Sequence, residues 1–329
     1  MLNVMPLDRI TQKKKLLDKH QPLAPELLKN LEEWFRVELT YTSNAIEGNT
    51  LTRRETAVVI EKGLTIGNKS LTEHLEARNH AQALDLVRSL SLKRLDQFSN
   101  QDILAIHAVI LNGIDDLHVG RYRTVAVRIS GSAVVLPNPR KVPDLMDELQ
   151  IWMTHQTTLH PVELALEAHY RLVSIHPFVD GNGRTSRLLM NCLLMMHGYP
   201  PAIIRKRDRL VYLGALEQAQ LGGARDNYER IMLKSVERSL DIYLKVLQGE
   251  SLMEGLDQDD LMKIGELAKV LGQTVPTVRY WTQEGLLEVA EVSSGGYQLY
   301  APHMIERGRQ IQKLKQERFT LAEIKHKLK

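Results

Sequence analysis

Between Pro25 and Asn44 apolar residues fall at Leu27, Leu28, Leu31, Trp34, Phe35 and Leu39, the three-and-four spacing of a helix with one buried face. The pattern extends to Glu47 and stops at Gly48-Asn49, where glycine accepts the left-handed conformation that ends a helix. Leu71 to Leu92 and Asn100 to Leu111 predict two further helices, the second with Asn100 as N-cap ahead of Asp102. Another runs from Asp144 through Leu145, Met146 and Leu149. Pro161 to Ile175 is apolar at Leu164, Leu166, Ala168, Leu172 and Val173, and Pro177 ends it, having no N–H to donate and disfavouring α geometry in the residue before it. His176 is thereby left at a helix end, and the next helix begins near Asn182.

One stretch alternates instead. Val125-Ala126-Val127-Arg128-Ile129, then Gly131, then Val134-Val135-Leu136 predict a β-hairpin whose second arm ends at Pro137 and Pro139. After an acidic linker over 249–261, residues 264–272 and 275–281 read as helix, glycine-containing turn and helix, the layout of a helix-turn-helix. Gly285 ends it, and Gly295-Gly296 before Tyr297-Gln298-Leu299-Tyr300 predicts a tight wing hairpin. The expected architecture is mainly α, with one hairpin and a small C-terminal winged helix-turn-helix domain.

The 329 residues leave room for two or three domains, and 43% hydrophobic and 25% charged residues are ordinary for a soluble globular protein. Net charge is +3 but uneven: residues 261–329 carry 11 Lys and Arg against 7 Asp and Glu, so the basic surplus belongs to the tail. The single cysteine, Cys192, lies among Leu188, Leu189, Leu193 and Leu194, which predicts a buried thiol in a reducing cytosol. The first residues lack a signal-peptide core and no run of about 18 apolar residues occurs, so neither export nor a membrane partner is expected. His107, His118, His155, His160 and His169 have no metal-ligand spacing and are assigned structural roles.

The densest chemistry is His176-Pro177-Phe178-Val179-Asp180-Gly181-Asn182-Gly183-Arg184-Thr185-Ser186-Arg187. Gly181 and Gly183 let backbone N–H groups approach an anion, and the helix starting near Asn182 turns its positive end to the same place. Arg184 and Arg187, three apart, share a helix face and can grip phosphate oxygens; Asp180 can hold a cation such as Mg²⁺, and His176 is a base beside them. Taken singly, Gly-Asn-Gly is a turn between core helices, Glu47 an exposed glutamate, 125–136 a surface hairpin and 209–220 an amphipathic helix.

The whole string matches HPFx[DE]GNGRxxR, and so resembles the signature of the Fic family. That resemblance implies an all-α core in which His176 is the general base for a target hydroxyl and Phe178 anchors the loop. It implies Mg²⁺ on Asp180, an anion hole from Gly181, Asn182 and Gly183, and a triphosphate held by Arg184 and Arg187, with Arg187 at its γ end. Ser43-Asn44-Ala45-Ile46-Glu47-Gly48 resembles the family's inhibitory motif [ST]xxxE[GN], in which Glu47 would pair with Arg187 in place of the γ-phosphate. The following stretch, to Glu76 and Asn79, is similar to the same subgroup. The hairpin after Gly120-Arg121-Tyr122-Arg123 would be the flap that clamps a target's main chain, through Ile129, Ser130, Gly131, Val134 and Val135. Residues 209–220 resemble the segment that holds adenine, with Tyr212 at its aromatic position and Gln220 where many members have Asn.

Residues 262–329 resemble the DNA-binding domain of MerR-type regulators, including closing helices through Phe319-Thr320-Leu321-Ala322-Glu323-Ile324. Thr277, Arg279 and Tyr280 fall on its recognition helix and Tyr297 on its wing; Pro276 and Gln298 stand where arginine is usual, which lowers phosphate neutralisation. The chain stops without the long dimerisation helix of those regulators, so the Fic part supplies any homodimer, or the module binds protein. The expected organisation is an N-terminal helical region with the inhibitory motif over 1–95, a Fic core over 96–248, the linker 249–261 and the MerR-like domain 262–329. The expected function is a cytoplasmic adenylyltransferase moving AMP from ATP to a hydroxyl of a target protein, or of itself. Three alternatives stay open: removal of AMP with Glu47 placing water, another nucleotide donor, or a nucleotide-sensing regulator without turnover. The last has no need of His176 as a base.

Overall fold

In the computed structural model, which describes residues 4–156, 158–250, 261–292, 297–301, 303–317 and 319–327, the chain divides into two units, Met1–Gly249 and Glu250–Lys329. The first is built from α1 (Val4–Asp18), α2 (Pro25–Glu47), α3 (Arg53–Lys62), α4 (Leu71–Leu90), α5 (Asn100–Leu111), α6 (Val142–His155), α7 (Pro161–Ile175), α8 (Asn182–Met196), α9 (Arg209–Gln220) and α10 (Asp226–Leu247). Helices α7 and α8 pack along one another at its centre. Their apolar residues are buried on most of the circumference, from Val162 to Ile175 and from Leu188 to Leu194, the pattern of helices enclosed by others. Helix α4 lies on α2, α5 and α8, and α10 on α1, α7 and α9. Helix α2, which ends at Glu47, therefore shares one core with the helices that flank His176.

Two local expectations change. The N-cap of α5 is Ser99, one residue earlier than Asn100: the Asp102 carboxylate accepts the Ser99 N–H at 2.9 Å, while Asn100 is spent on Gln150 and Asp147 of α6. The 125–136 stretch reverses at Gly131 (φ 76°), where the Ser132 N–H meets the Ile129 carbonyl at 3.2 Å, yet among the described residues its arms form no strand ladder. Val135 is 93% exposed and Val125 is also exposed, so the β-branched residues that suggested strands have no sheet face to pack on.

The second unit contains β1 (Met262–Lys263), α11 (Ile264–Leu271), α12 (Val275–Gln283), β2 (Glu291–Val292), β3 (Gln298–Tyr300), α13 (His303–Gln316) and α14 (Leu321–Lys327). Its sheet has the order β1-β3-β2, antiparallel throughout, with Met262 opposite Tyr300 and Val292 opposite Gln298. Strand β1 had no signal of its own in the sequence, being two residues long. Leu267, Leu271, Val278, Trp281, Leu286, Tyr300, Ile311 and Ile324 form a separate core. The Gly295-Gly296 turn of the wing and most of the linker lie outside the described residues. No described helix is long and apolar enough to cross a membrane.

Three histidines inside the first unit are held neutral. Burial, then the charge of Arg187, pushes His80 and His169 down to about 3, and burial pushes His107 down to about 4. Their folded values lie below the ordinary 6.5, so on acidification the unfolded chain takes up protons that the folded chain refuses, and stability falls as pH drops through that value. The urea midpoint is expected to decrease between about pH 7 and about pH 5, and to decrease less in His80→Gln. A flat midpoint in that window would contradict the burial of these rings.

Candidate active site

His176 caps α7 in the left-handed region (φ 51°, ψ 59°), its N–H on the Leu172 carbonyl at 3.0 Å. Non-glycine residues take that region at a cost, which the following loop offsets by being fastened on every side. Phe178 is buried and stacks on His107 with ring centroids 3.7 Å apart. Asn182 closes the loop: its Oδ1 accepts the Phe178 N–H and its Nδ2 donates to the Phe178 carbonyl, both at 2.9 Å. His107 Nδ1 takes the Gly120 N–H at 3.1 Å, so its Nε2–H donates to the Asp180 carbonyl at 3.1 Å. Arg123 Nε donates to the His176 carbonyl at 2.7 Å, and its two terminal nitrogens donate to Val125 and Pro137. One buried guanidinium thus ties both ends of the 125–137 loop to the residue before Pro177.

The His176 ring is partly buried, and its Nδ1 lies 3.3 Å from the Val173 carbonyl. A carbonyl only accepts, so Nδ1 carries the proton and Nε2 keeps a lone pair. Burial, more than the nearby Arg123 charge, holds the imidazole below its usual pKa. At neutral pH it is an uncharged base.

Helix α8 starts at Gly181 (φ 76°), and the N–H groups of Asn182, Gly183 and Arg184 have no carbonyl one turn back to bond. A carboxylate lies over them: a Cβ on Gly183 would overlap Glu47 Oε1. The same oxygen accepts from Arg187 Nη2 at 2.7 Å, while Arg187 Nε and Nη2 also donate to Ser43 Oγ (3.0 Å) and to the Ser43 carbonyl (2.9 Å). Burial alone would lower the Arg187 pKa, and the Glu47 charge and the Tyr212 hydroxyl reverse this and raise it. Gly48 (φ 105°) ends α2 immediately after Glu47, and Arg209 Nε donates to the Ile46 carbonyl at 2.6 Å. Arg187 and Arg209 are the cations that a helix C-terminus bearing a glutamate calls for.

Several expected positions are occupied differently. Arg184 has a side chain only 3% exposed, held by Glu76 of α4 at 3.0 Å and by Asp180 at 3.2 Å, so it joins α8 to α4 instead of facing a ligand. Glu76 in turn accepts from Asn49 at 2.9 Å, just beyond Gly48. The Asn182 amide is consumed within the loop, which leaves its backbone N–H for an anion. Tyr212 is 1% exposed, with its hydroxyl 2.9 Å from His169 Nε2; a phenol turned inward to satisfy its O–H presents no face to a nucleobase. On α9 Leu213 is half-buried, as are Arg209, Glu217 and Gln220, and Gln220, two turns on from Leu213, donates to Ser174 at 3.2 Å. Asp180 is 64% exposed beside Arg184. Ile129, Ser130 and Gly131 form the turn over α9, where Glu217 Oε1 accepts from Ser132 Oγ (2.7 Å) and from the Ala133 N–H (3.0 Å). Arg123, Glu76, Arg209 and Glu217 had no role of their own in the sequence, and His107 had only a structural one. Arg123, inside Gly120-Arg121-Tyr122-Arg123, Glu76, and Arg209 and Glu217 within 209–220 did lie in stretches that stood out.

In the second unit Thr274 caps α12, and its hydroxyl is shared with Thr277 at 2.8 Å. Arg279, Tyr280 and Tyr297 are exposed, and Lys263 Nζ lies 5.3 Å from the Tyr297 ring centroid. Gln298 accepts from the Tyr300 hydroxyl at 3.0 Å.

Residues 97–194 match the model of the Fic/DOC family. A Fic domain containing signaling protein from Bacteroides thetaiotaomicron superposes with a TM-score of 0.67 at 31% identity, over 74% of this chain and 98% of that one. The chain belongs to the Fic/DOC family. Residues 134–508 of Fic-1 from C. elegans give the same TM-score at 32% identity, over 75% of this chain and 74% of that fragment. A protein adenylyltransferase Fic of Nematostella vectensis is 41% identical over 206 residues, 62% of this chain; the match spans about half, 48%, of that curated relative. Residues 262–329 match the model of the MerR HTH family of regulatory proteins, so this Fic protein carries a MerR-type helix-turn-helix beside its Fic unit.

Removing the carboxylate that neutralises Arg184 tests the α4–α8 joint. Glu76→Ala is expected to lower the unfolding free energy by about 3 kcal/mol, the scale for stranding a buried charge, and Glu76→Gln by less. Urea denaturation measures both, and a loss below about 1 kcal/mol for Glu76→Ala would show that Asp180 and water suffice.

Proposed function

We propose that the Fic unit transfers AMP from ATP to a hydroxyl of a protein, and that Glu47 restrains it. The observation that carries this reading is the Glu47 carboxylate lying over Gly183 and against Arg187 at 2.7 Å, beside an uncharged His176. An anion there is held by a buried guanidinium and lies close to unbonded N–H groups at the start of α8, which is what a polyphosphate needs. With Glu47 withdrawn, Arg187 and the α8 N-terminus receive the phosphates, and His176 Nε2 takes the proton of the target hydroxyl. The oxygen attacks the α-phosphorus in line, the bond to pyrophosphate breaks, and the leaving charge stays on the phosphates held by Arg187 and α8.

Asp180 fits Mg²⁺ as a solvent-facing carboxylate with one oxygen turned from Arg184, since Mg²⁺ is commonly held by one or two carboxylates plus substrate phosphates. No group of three or more potential ligand side chains occurs among the described residues. When bound, Mg²⁺ supplies positive charge that offsets the polyphosphate. The adenine contact is assigned to the α9 face at Leu213 and Gln220, under the Ile129–Ser132 turn. The exposed arms at Val134 and Val135 would take a target's main chain by backbone pairing. The second unit would bind DNA through Thr277, Arg279, Tyr280 and Tyr297, with a homodimer of the chain presenting two half-sites. A reducing, cytoplasmic setting suits the buried Cys192 thiol, which burial pushes up to about 12.

Transfer from α-labelled ATP with Mg²⁺ is to be compared in the wild type, Glu47→Gly and Glu47→Gly/His176→Ala, scored on the protein itself and on a lysate. Label is expected with Glu47→Gly and absent from the double variant. Absence from all three would leave a nucleotide sensor or another donor as the reading.

For the second unit, affinity of the full chain for its own promoter is expected to fall steeply between about 50 and 200 mM salt and to weaken in Arg279→Ala. Affinity that ignores salt would replace DNA with a protein partner.

A further inference from the structure

We infer that Arg123 is a positioning residue for the proposed transfer: its guanidinium stands in for the missing strand ladder of the 125–137 loop and fastens both arms of that loop to the main chain of His176. The inference rests on the proposed reading of His176 as the base and of the loop as the surface that takes a target.

The loop is held from outside. Its β-branched arms form no ladder, and the main-chain bond that closes it is at the turn, from the Ser132 N–H to the Ile129 carbonyl. At the tip, Glu217 of α9 accepts from Ser132 Oγ and from the Ala133 N–H. At the base, Arg123 Nη1 donates to the Val125 carbonyl at 3.2 Å and Nη2 to the Pro137 carbonyl at 2.7 Å, one on each arm. Nε donates to the His176 carbonyl at 2.7 Å, and the Arg123 N–H adds a fourth bond, to the Pro177 carbonyl at 2.8 Å. Two arms and the residue that carries the base thus meet on one side chain.

This task asks for arginine. A guanidinium is planar and its donors diverge from three nitrogens, so it spans three carbonyls at set angles, whereas the donors of a lysine radiate from a single point. Stability alone does not call for it: Arg123 is 2% exposed, and each guanidinium nitrogen donates to a neutral carbonyl. A buried charge met by carbonyls carries a desolvation penalty that an apolar side chain of similar size would avoid. What the charge provides is a fixed span. Because the arms do not pair with each other, the main chain at the exposed Val135 is open to another chain. A target laid there is tied through Pro137, Arg123 and the His176 carbonyl to the imidazole, so one side chain sets how far its hydroxyl lies from Nε2.

Two quantities are to be measured on the full chain carrying Glu47→Gly: the ATP Kd by calorimetry, and transfer of label from α-labelled ATP to protein at saturating ATP. Arg123→Lys keeps the charge and loses the fork, and Arg123→Met loses both. In each, the ATP Kd is expected to stay within about twofold, because Arg187 and the start of α8 are untouched. Transfer is expected to fall at least about tenfold, the scale for reacting groups moved out of line. Transfer within about twofold of the parent would show that Arg123 places nothing, and a Kd that rises in step with the loss would show that it only supports the fold. Either result overturns the inference while the nucleotide reading stands. Failure of Glu47→Gly itself to bind ATP or to label protein would overturn the reading and the inference with it. A measurement on the wild type is independent of how the variants fold. With ¹⁵N-labelled arginine, the Arg123 Nε–H is expected to exchange slowly with solvent and its Nη1 and Nη2 to give separate signals. Fast exchange, or one averaged Nη signal, would mean a guanidinium that is not fixed and would overturn the inference.

Discussion

The Arg187 guanidinium is a full charge taken out of water inside a helical core, and the arrangement around it answers that cost. A buried cation is tolerated when its donors are all met and an anion is near. Ser43 supplies a hydroxyl and a carbonyl, and Glu47 a carboxylate. Those partners come from α2, while Arg187 itself is on α8, so satisfying one side chain fixes how the two helices meet. The end of α2 is placed by the same requirement, because Ser43 and Glu47 are one helical turn apart and reach the guanidinium together.

Around this cation the remaining ionisable groups are kept uncharged or paired. His80 and His169 are neutral, through burial first and the Arg187 charge second. They act as hydrogen-bonding dipoles and add no positive charge of their own. Arg184, the other arginine of the motif, is matched by Glu76 and Asp180. The positive potential at the start of α8 is thus concentrated on Arg187 and the free N–H groups, and the His176 imidazole, two residues before Phe178, can stay neutral beside it. Placing His176 at a strained left-handed position is affordable because Arg123, Asn182 and the His107–Phe178 stack each hold part of the loop.

Much of this was legible in the residue pattern. The helices from Pro25, Leu71, Pro161 and Asn182 follow from apolar spacing and from the proline and glycine stops, because burial and capping act locally. The motif 176–187 carried the family. The pairs Arg184–Glu76, Arg123–His176 and Glu217–Ser132 were not readable, since they join residues 53 to 108 positions apart and depend on how the helices dock. Alternation misled at 125–136: β-branched residues favour extended chain, but a ladder also needs a partner strand. At α9 the error was rotational. Tyr212 and Leu213 are neighbours in sequence and point about 100° apart around a helix, so an aromatic at a matching position was inward while its neighbour was outward.

The position of Glu47 has an energetic consequence under the proposed reading. A carboxylate in the last turn of α2 faces that helix's own negative end, a conflict of roughly 0.3–1 kcal/mol, and its side chain is still 36% exposed. Its attachment therefore depends on Arg187 and the α8 N-terminus, which are the same groups that would hold phosphate. A polyphosphate brings more charge to those donors than one carboxylate does, while Glu47 on release regains water and loses the dipole conflict. Opposing this exchange are Arg209 on the Ile46 carbonyl and Asn49 on Glu76, which hold the end of α2 in place whether or not the carboxylate is bound. The balance between ligand and restraint is thus set less by the Glu47–Arg187 contact alone than by how firmly those neighbours fix the helix end that carries it.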